Sequence, residues 1–317
     1  MADAEAVAAA RDGLRTTLAA ETARAYAQVC ALGEALTVGR RSLAAAEREI
    51  EITRERHEAG ANTLFDVVRA QGLAAQVRST LPPLEGQRRA ALFQLAALLG
   101  RTPANAPAEA FGCFEPPRIA DLIPVGDGAA LIRRRPDVRQ AERRLAAATA
   151  RVGVATADLY PRITLKAFYG GAATGIPDLA TNAGLVWGAG PSVSWSFPNQ
   201  SGPRARVRQA RAGAEAALAS FDSAVLQALK ETEQALATYR AEIEHRAALG
   251  EAEENARQAF GLARDQLTAG SISPLDVLIA ERTLIAADAA VAASDGALVQ
   301  DQIALFKALG GGWRLKT

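Results

Sequence analysis

The sequence predicts a mainly α-helical protein with a small β part, built from long antiparallel helical hairpins and one β-hairpin. Three observations predict this fold class. The 317-residue chain is 49% hydrophobic but only 5% aromatic, and much of its apolar content is alanine, which suits closely packed long helices. A turn that reverses a helix occurs twice, near residues 60 and 270. Between residues 163 and 197 the helical period gives way to alternation, as in a strand.

The two turns share one chemistry. Gly60 and Gly270 come just after predicted helix ends, where glycine adopts a positive φ at little cost. Thr63 and Ser273 then stand at N-cap positions, and each is followed three residues later by an aspartate. This pattern resembles a capping box with Asp in place of the usual Glu or Gln. We therefore expect two long helices to double back at each turn. The aspartates are Asp66 and Asp276.

An offset of 210 residues relates the two turns, and it also relates residues 1–101 to residues 211–311 without a gap. Gly86 falls on Gly296, and Leu95 falls on Leu305. The register indicates two copies of one unit. We predict a first repeat over 1–101 with its tip near residue 60, a connector over 102–132, and a second repeat over 133–317. The second repeat comprises a helix at 136–159, a β-hairpin at 163–197 and a helical hairpin at 204–309 with its tip near residue 270.

The helical stretches are unusually long. Apolar residues recur every three or four positions from residue 2 to about residue 58. A second helix is expected over 64–99, with a kink or break at Pro82-Pro83. The helix that ends near residue 268 would reach roughly 95 Å at 1.5 Å per residue. Such a length predicts a long cylinder of helices rather than a compact domain.

The stretch from Leu185 to Phe197 has one apolar face, because its odd positions are all apolar and its even positions are mainly small or polar. This alternation favours a transmembrane β-strand over the half-buried strand of a soluble sandwich. Trp187 and Trp195 lie about 26 Å apart along such a strand, a spacing that fits two aromatic girdles. Pro191 in mid-strand favours a sheet edge or a bulge.

Composition excludes several classes of function. The net charge is +1, with 36 basic and 35 acidic residues interleaved, which argues against nucleic-acid binding. We find no transmembrane helix, no signal peptide, no catalytic constellation, no metal spacing and no phosphate loop, so we predict no enzyme and no cofactor. Cys30 and Cys113 are interpreted as small buried hydrophobic residues rather than a disulfide. His57 and His245 are expected at the surface, and the arginines from 133 to 144 are expected to form a solvated basic face rather than an anion site.

Longer motifs carry a resemblance to a known family. The stretch 134–165, beginning Arg-Arg-Pro-Asp-Val and ending Tyr-Pro-Arg-Ile-Thr-Leu, resembles a hallmark of the outer-membrane factor family. These are the TolC-like channels, and the resemblance is specifically to the NodT/OprM-type efflux lipoproteins. Gly190-Pro191-Ser192-Val193-Ser194-Trp195 and the ending 306–313 are similar to the same family. The resemblance covers essentially the whole chain.

The resemblance implies a homotrimer whose protomers contribute strands to a shared β-barrel in the outer membrane and helices to a periplasmic α-barrel. It also implies contact with outer-membrane lipid and, at the hairpin tips, with a periplasmic adaptor protein that links the channel to an inner-membrane RND pump. Residues carried over to the adaptor-binding tips are Gly60, Ala61, Thr63, Gly270, Ser271 and Ser273. Residues carried over to the pore constriction are Asp66, Leu275, Asp276 and Arg282.

The sequence departs from the family in two respects. Many relatives read Leu-Asp-Ala-Gln-Arg where this chain has Leu278-Ile279-Ala280-Glu281-Arg282, so Ile279 replaces an acid associated with gating. The lipid-bearing cysteine, the signal peptide and a first strand pair are not found. We expect that the chain begins inside a longer protein, the other explanation being one and a half repeats. The alternatives to a passive export duct are a soluble coiled-coil scaffold and a non-functional truncated remnant.

Overall fold

The computed structural model describes residues 1–117, 134–171 and 185–311. The elements in chain order are α1 (Ala2–Glu58), α2 (Leu64–Leu98), a 3-10 turn (Pro103–Asn105), α3 (Ala108–Phe111), α4 (Pro136–Ala157), β1 (Arg162–Gly171), β2 (Leu185–Ser194), α5 (Ser201–Thr268) and α6 (Pro274–Ala308). The chain forms two compact units, one of residues 1–10 and 136–226 and the other of residues 11–135 and 227–317.

The helices follow the predicted periodicity closely, and the second strand is shorter than predicted. α1 covers 57 residues and α5 covers 68. The β-hairpin was predicted to extend to residue 197, but β2 ends at Ser194. None of the helices in the described ranges combines the length and apolar character that a membrane crossing needs.

The predicted break at Pro82-Pro83 is wrong, because α2 is continuous through both prolines. Each proline lacks the N–H that would bond to the carbonyl four residues earlier, which frees the carbonyls of Arg78 and Ser79. Both residues are exposed, so water can satisfy those carbonyls. Buried residues on either side of the prolines, such as Val77 and Ala91, keep the two halves of the helix packed.

The larger unit, residues 11–135 and 227–317, is held together by small clusters of alanine and aliphatic side chains. In one cluster, α1 meets α2 and α3 through Val29, Leu92 and Ala110. In a second, α1 meets α6 through Ala27 and Ile303. The third joins α6 to α5 and is made by Leu305, Leu309, Ala235, Leu236 and Tyr239. The helices therefore pack through narrow apolar stripes rather than around one broad core.

The two cysteines form a disulfide, so the interpretation of both as free buried residues is wrong. Cys30 on α1 and Cys113 after α3 are bonded, with their Cα atoms 4.8 Å apart. The connector approaches α1 so closely that a Cβ at Gly33 would clash with the Cys113 carbonyl oxygen. Arg88 on α2 holds the same segment, because its guanidinium donates to the carbonyls of Phe111 (2.6 Å) and Cys113 (3.0 Å). Spacing alone could not reveal this approach.

Arg135 is buried, which corrects the prediction that it belongs to a solvated basic face. It is 6% exposed, and its guanidinium donates to the carbonyl of Ala308 (3.0 Å) and to Glu231 (2.6 Å). A third bond, of 3.4 Å, reaches the carbonyl of Ala228. Arg135 therefore satisfies a carbonyl at the end of α6 while pairing with a carboxylate on α5.

In the smaller unit, residues 1–10 and 136–226, ion pairs join the start of α1 to α4. Arg151 donates to Asp3 (2.8 Å) and Arg143 to Glu5 (3.2 Å). Arg143 also bonds to the neighbouring Glu142. Arg143 and Arg151 are thus neutralised by carboxylates rather than presented as an anion site. Because both pairs are exposed, they add little stability.

Removing the disulfide should destabilise the larger unit. The bond joins residues that are 83 positions apart. Closing a loop of that size reduces the conformational entropy of the unfolded chain, which stabilises the folded state by about 2–4 kcal/mol. We expect Cys113→Ala to lower the thermal unfolding midpoint measured by circular dichroism. Wild-type protein treated with reductant should match the variant, and reductant should leave the variant unchanged. An identical midpoint with and without reductant in the wild type would contradict this assignment.

Removing the buried guanidinium should also be costly. Arg135→Met keeps the length of the side chain but leaves the Ala308 carbonyl and Glu231 without this donor. We expect a loss of about 2 kcal/mol in the free energy of unfolding, since Glu231 is partly exposed and can be rehydrated. Urea denaturation measures the effect. Arg139→Met, which changes an exposed arginine on α4, is the matched control and should be nearly neutral.

Candidate functional site at the paired turns and the β-hairpin

The two helix-reversing turns have the same backbone. Gly60 and Gly270 both have φ of +75°, a conformation that favours glycine. The residue after each glycine donates its N–H to a carbonyl five residues earlier: Ala61 to Arg56 (2.8 Å), and Ser271 to Gln266 (2.9 Å). These bonds satisfy carbonyls at the ends of α1 and α5 in a Schellman-type arrangement. The predicted glycine positions are therefore correct at both turns.

Both turns then start the next helix with a complete capping box. The Thr63 hydroxyl donates to Asp66 Oδ2 (2.7 Å), and the Thr63 N–H donates to the same oxygen (3.0 Å). Ser273 makes the same two bonds to Asp276, again at 2.7 and 3.0 Å. In return, the N–H of each aspartate donates to the cap hydroxyl. The capping role predicted for these four residues is confirmed by this geometry.

The same bonds set the ionisation of the two aspartates. The hydroxyl of Thr63 and then its backbone N–H lower the pKa of Asp66 below its ordinary value. The hydroxyl and backbone N–H of Ser273 lower the pKa of Asp276 in the same way. Both carboxylates are therefore charged at neutral pH and lie at helix N-termini, where the helix dipole favours negative charge.

The β-hairpin presents one exposed apolar face. Its antiparallel register pairs Ile163 with Val193, Leu165 with Pro191, Ala167 with Ala189, and Tyr169 with Trp187. Leu165 is 83% exposed and Trp187 is 72% exposed. The opposite face carries small or polar pairs such as Thr164 with Ser192 and Lys166 with Gly190. An exception is Phe168, whose ring covers Gly188 so closely that a Cβ there would lie 2.8 Å from it.

Trp195 lies just beyond β2, although it was predicted within the strand. Its ring stacks on Phe197 with the centroids 4.8 Å apart. Its indole N–H donates to the carbonyl of Leu159 at 3.2 Å. Trp195 thus presents an apolar ring and a satisfied polar atom, as aromatic residues do at an interface. The partner of Trp187 is Tyr169, a residue that the analysis of the second strand alone did not identify.

Comparison with known proteins identifies the family. The family model described as "Outer membrane efflux protein" matches residues 1–101 and 129–311. The chain belongs to the outer membrane efflux protein family. The matched ranges include both turns and both strands of the hairpin.

Individual relatives in this family are similar over nearly all of the chain. The pyoverdine export outer membrane protein OpmQ of Pseudomonas aeruginosa is 34% identical over 308 residues, which are 96% of this chain and 63% of OpmQ. Nodulation protein T of Rhizobium leguminosarum bv. viciae is 32% identical over 99% of this chain and 65% of that protein. The solved structure of the outer-membrane channel OprN superimposes with a TM-score of 0.91 at 36% identity, covering 98% of this chain and 70% of OprN.

These similarities confirm the family, the mainly α fold class with its small β part and, for the family, the outer-membrane location. The efflux family is one of channel proteins rather than enzymes. The chain spans somewhat less than two thirds of the length of the curated relatives OpmQ and nodulation protein T. The roles of the tip and constriction residues therefore remain predictions.

The two turns differ in the side chains that they expose, which the shared turn chemistry concealed. The first two turns of α2 expose three apolar residues, Leu64, Phe65 and Val68. Arg69 lies 4.5 Å over the ring of Phe65. His57, expected at the surface, is half-buried, and its Nδ1 lies 2.9 Å from the Asn62 carbonyl oxygen. The register offset pairs Phe65 with Leu275 and could have drawn attention to this apolar position.

The predicted constriction residues do not all lie together in the larger unit. Asp66 and Leu275 wall the same small cavity near the turns, together with Arg69 and Pro274. Asp276 and Arg282 are exposed and are not among the residues that line it. Glu281, the neighbour of Arg282, is deeply buried instead, a feature that its surrounding sequence does not indicate.

Loss of one cap should loosen one turn selectively. Thr63→Val keeps the shape of the side chain but removes both hydroxyl bonds, and N-cap losses of this kind cost about 1 kcal/mol. We expect faster amide hydrogen exchange in peptides spanning 59–70 and no change in peptides spanning 269–280. Thr283→Val is the control, because that hydroxyl donates to the carbonyl of Ile279 within α6. Equal exchange in Thr63→Val and wild type would contradict the capping role.

Proposed function

We propose that the chain is the outer-membrane channel subunit of a tripartite export system, a passive duct that conducts drugs or other small molecules from the periplasm to the exterior. The chain itself performs no catalysis in this proposal. The observation that carries it is the β-hairpin, because both strands expose the same apolar face and place small and polar side chains on the other. That division fits lipid on one side and water on the other.

The hairpin also supports a homo-oligomer. Its sheet has two strands, β1 and β2, and each strand has an outer edge whose backbone groups need partners in lipid. Strands from further copies, and any strands that the longer relatives possess, would satisfy those edges. A homotrimer that shares one β-barrel meets this requirement.

The repeat supports the same assembly within the larger unit. Ala27 of α1 and Ile303 of α6 are buried against each other's helices. The 210-residue offset carries these positions to Ala237 of α5 and Phe93 of α2, which are both exposed. A neighbouring copy that repeated the α1–α6 contact would bury Phe93 against Ala237. Three copies would then close a ring of helices.

The turns are the proposed docking points. The two tips offer surfaces of the same backbone shape to a periplasmic adaptor protein that leads to an inner-membrane RND pump. The residues of these surfaces are Gly60, Ala61 and Thr63 at one tip, and Gly270, Ser271 and Ser273 at the other. Exposed Leu64, Phe65 and Val68 give the first tip an additional apolar contact. Asp66 and Asp276, charged at neutral pH, would favour cations at the pore mouth, where Leu275 and Arg282 complete the proposed constriction.

Two further observations agree with this proposal. The disulfide between Cys30 and Cys113 suits an oxidising compartment such as the periplasm. The names of similar proteins refer to export of small organic compounds, such as pyoverdine in Pseudomonas aeruginosa. A solvated scaffold would have no use for a hairpin with five exposed apolar residues, Ile163, Leu165, Tyr169, Trp187 and Val193, so we place the channel ahead of that alternative.

We expect Gly270→Pro to abolish export while leaving trimers intact. Proline fixes φ near −65°, whereas Gly270 needs +75°, so the second tip would be misshapen and the β-hairpin unaffected. The measurement is drug susceptibility of cells that depend on this protein for export, with trimers checked by native gel. Gly261→Ala, within the last two turns of α5 where an added Cβ meets nothing within 4 Å, should behave as wild type. Normal resistance in cells carrying Gly270→Pro would refute docking at the tips.

A further inference from the structure

A carboxyl group is buried between the helices close to the two turns. Glu281 on α6 is 2% exposed and is among the largest fully buried side chains. Its Oε2 atom is buried and has no hydrogen-bond partner. An ionised carboxylate in such a place would lack both water and a donor, which is costly. The capping boxes, the hairpin and the proposed docking surfaces do not require this group.

A second carboxyl group lies near it on α1. Glu49 is half-buried, and its side chain accepts a bond from Thr53, which is 4% exposed. The nearby charges come from three helices: Arg56 on α1, Arg264 on α5, and Asp66 and Arg69 on α2. Arg264 attracts both glutamates, but it forms no ion pair within 4.0 Å with either of them in the described part of the chain. Its charge therefore offsets only part of the cost.

We propose that the buried carboxyl of Glu281 on α6 is a proton-binding site beside the two turns, with Glu49 of α1 as its charged neighbour, and that it gives up its proton in alkaline solution. The burial and the orphaned oxygen of Glu281 indicate the protonated form, because a neutral carboxyl needs no counter-ion. This site is a property of the helical hairpins and does not depend on the proposed channel function.

The electrostatics agree with the geometry. Burial first, and then the charge of Glu49, raise the pKa of Glu281 to about 7, although Arg264 opposes the rise. Burial also raises the pKa of Glu49, against the pull of Arg264 and Arg56. The folded form holds the proton on Glu281 more tightly than the unfolded chain does. The contribution of Glu281 to the free energy of unfolding is therefore fully present below the ordinary carboxyl pKa. This contribution falls as the pH rises towards 7 and levels off above that value.

A metal ion is the competing occupant. Two carboxylates could attract a divalent cation, but the described residues hold no group of three or more His, Cys, Asp or Glu side chains suited to a metal. A hard cation such as Ca²⁺ also demands six or more oxygen ligands. The geometry therefore favours a proton, and the experiment separates the two.

The test compares wild type with Glu281→Gln, an uncharged side chain of the same shape. Amide hydrogen exchange is followed in peptides spanning 44–58 and 274–290 at pH 5.5 and pH 8.5, and the two proteins are compared at each pH so that intrinsic exchange rates cancel. We expect the wild type to differ from Glu281→Gln much less at pH 5.5 than at pH 8.5. Between these pH values the exchange of the wild type relative to Glu281→Gln should rise at least about tenfold, since the pKa of about 7 lies roughly 1.5 units above pH 5.5, which corresponds to about a thirtyfold change in the local equilibrium.

Two controls keep the result interpretable. Glu55→Gln changes an exposed glutamate of α1 and should follow the wild type at both pH values. Infrared difference spectra of the wild type should show a protonated carboxyl band that disappears between pH 5.5 and 8.5 and that is absent in Glu281→Gln. A difference in exchange that is equal at both pH values, the lack of that band, or protection restored at pH 8.5 by Ca²⁺ would each overturn the proposal.

Discussion

Close approach of long helices through small side chains is the constraint on which the rest of the larger unit depends. Helices of 57 and 68 residues cannot surround one globular core, so each contact must be made along a narrow stripe. Alanine and glycine allow this: a Cβ at Gly296 on α6 would lie 2.8 Å from the Cβ of Ala31 on α1. At such separations any buried polar group must be satisfied locally, as Arg135 is, or must become neutral, as we infer for Glu281.

The duplicated unit explains why one chain carries two similar tips with different surfaces. The backbone of the turn is fixed by Gly, a hydroxyl cap and Asp, and these are retained in both copies. The residues that follow are free to diverge, and the first copy exposes Leu64 and Phe65 where the second places Pro274 and Leu275 against the cavity. Shape is thus conserved between the copies through hydrogen bonding, while the chemistry of the surface differs. In a ring of such chains the two kinds of tip would alternate.

Much of this architecture could be predicted from sequence because it is governed by local rules. Helix periodicity, the positive φ of Gly60 and Gly270, and the capping boxes all depend on residues within one or two turns of each other. The β-hairpin was recognised from alternation, although the end of β2 and the pairing of Trp187 with Tyr169 required the register. The errors concern contacts between distant residues. The Cys30–Cys113 bond, the burial of Arg135 against Ala308 and the continuity of α2 through Pro82 depend on which segments lie beside each other, and periodicity does not encode that.

The disulfide has a consequence for the durability of the chain outside the cytoplasm. Cys30 and Cys113 enclose the first turn, all of α2 and the start of the connector within one covalent loop. A protease that cuts a single peptide bond anywhere inside that loop, including the exposed tip near residue 60, leaves both fragments attached to each other. The nicked molecule gains only one water, and the disulfide still tethers α1 to the segment that follows α2. The exposed tip is thereby protected against dissociation after a single cleavage.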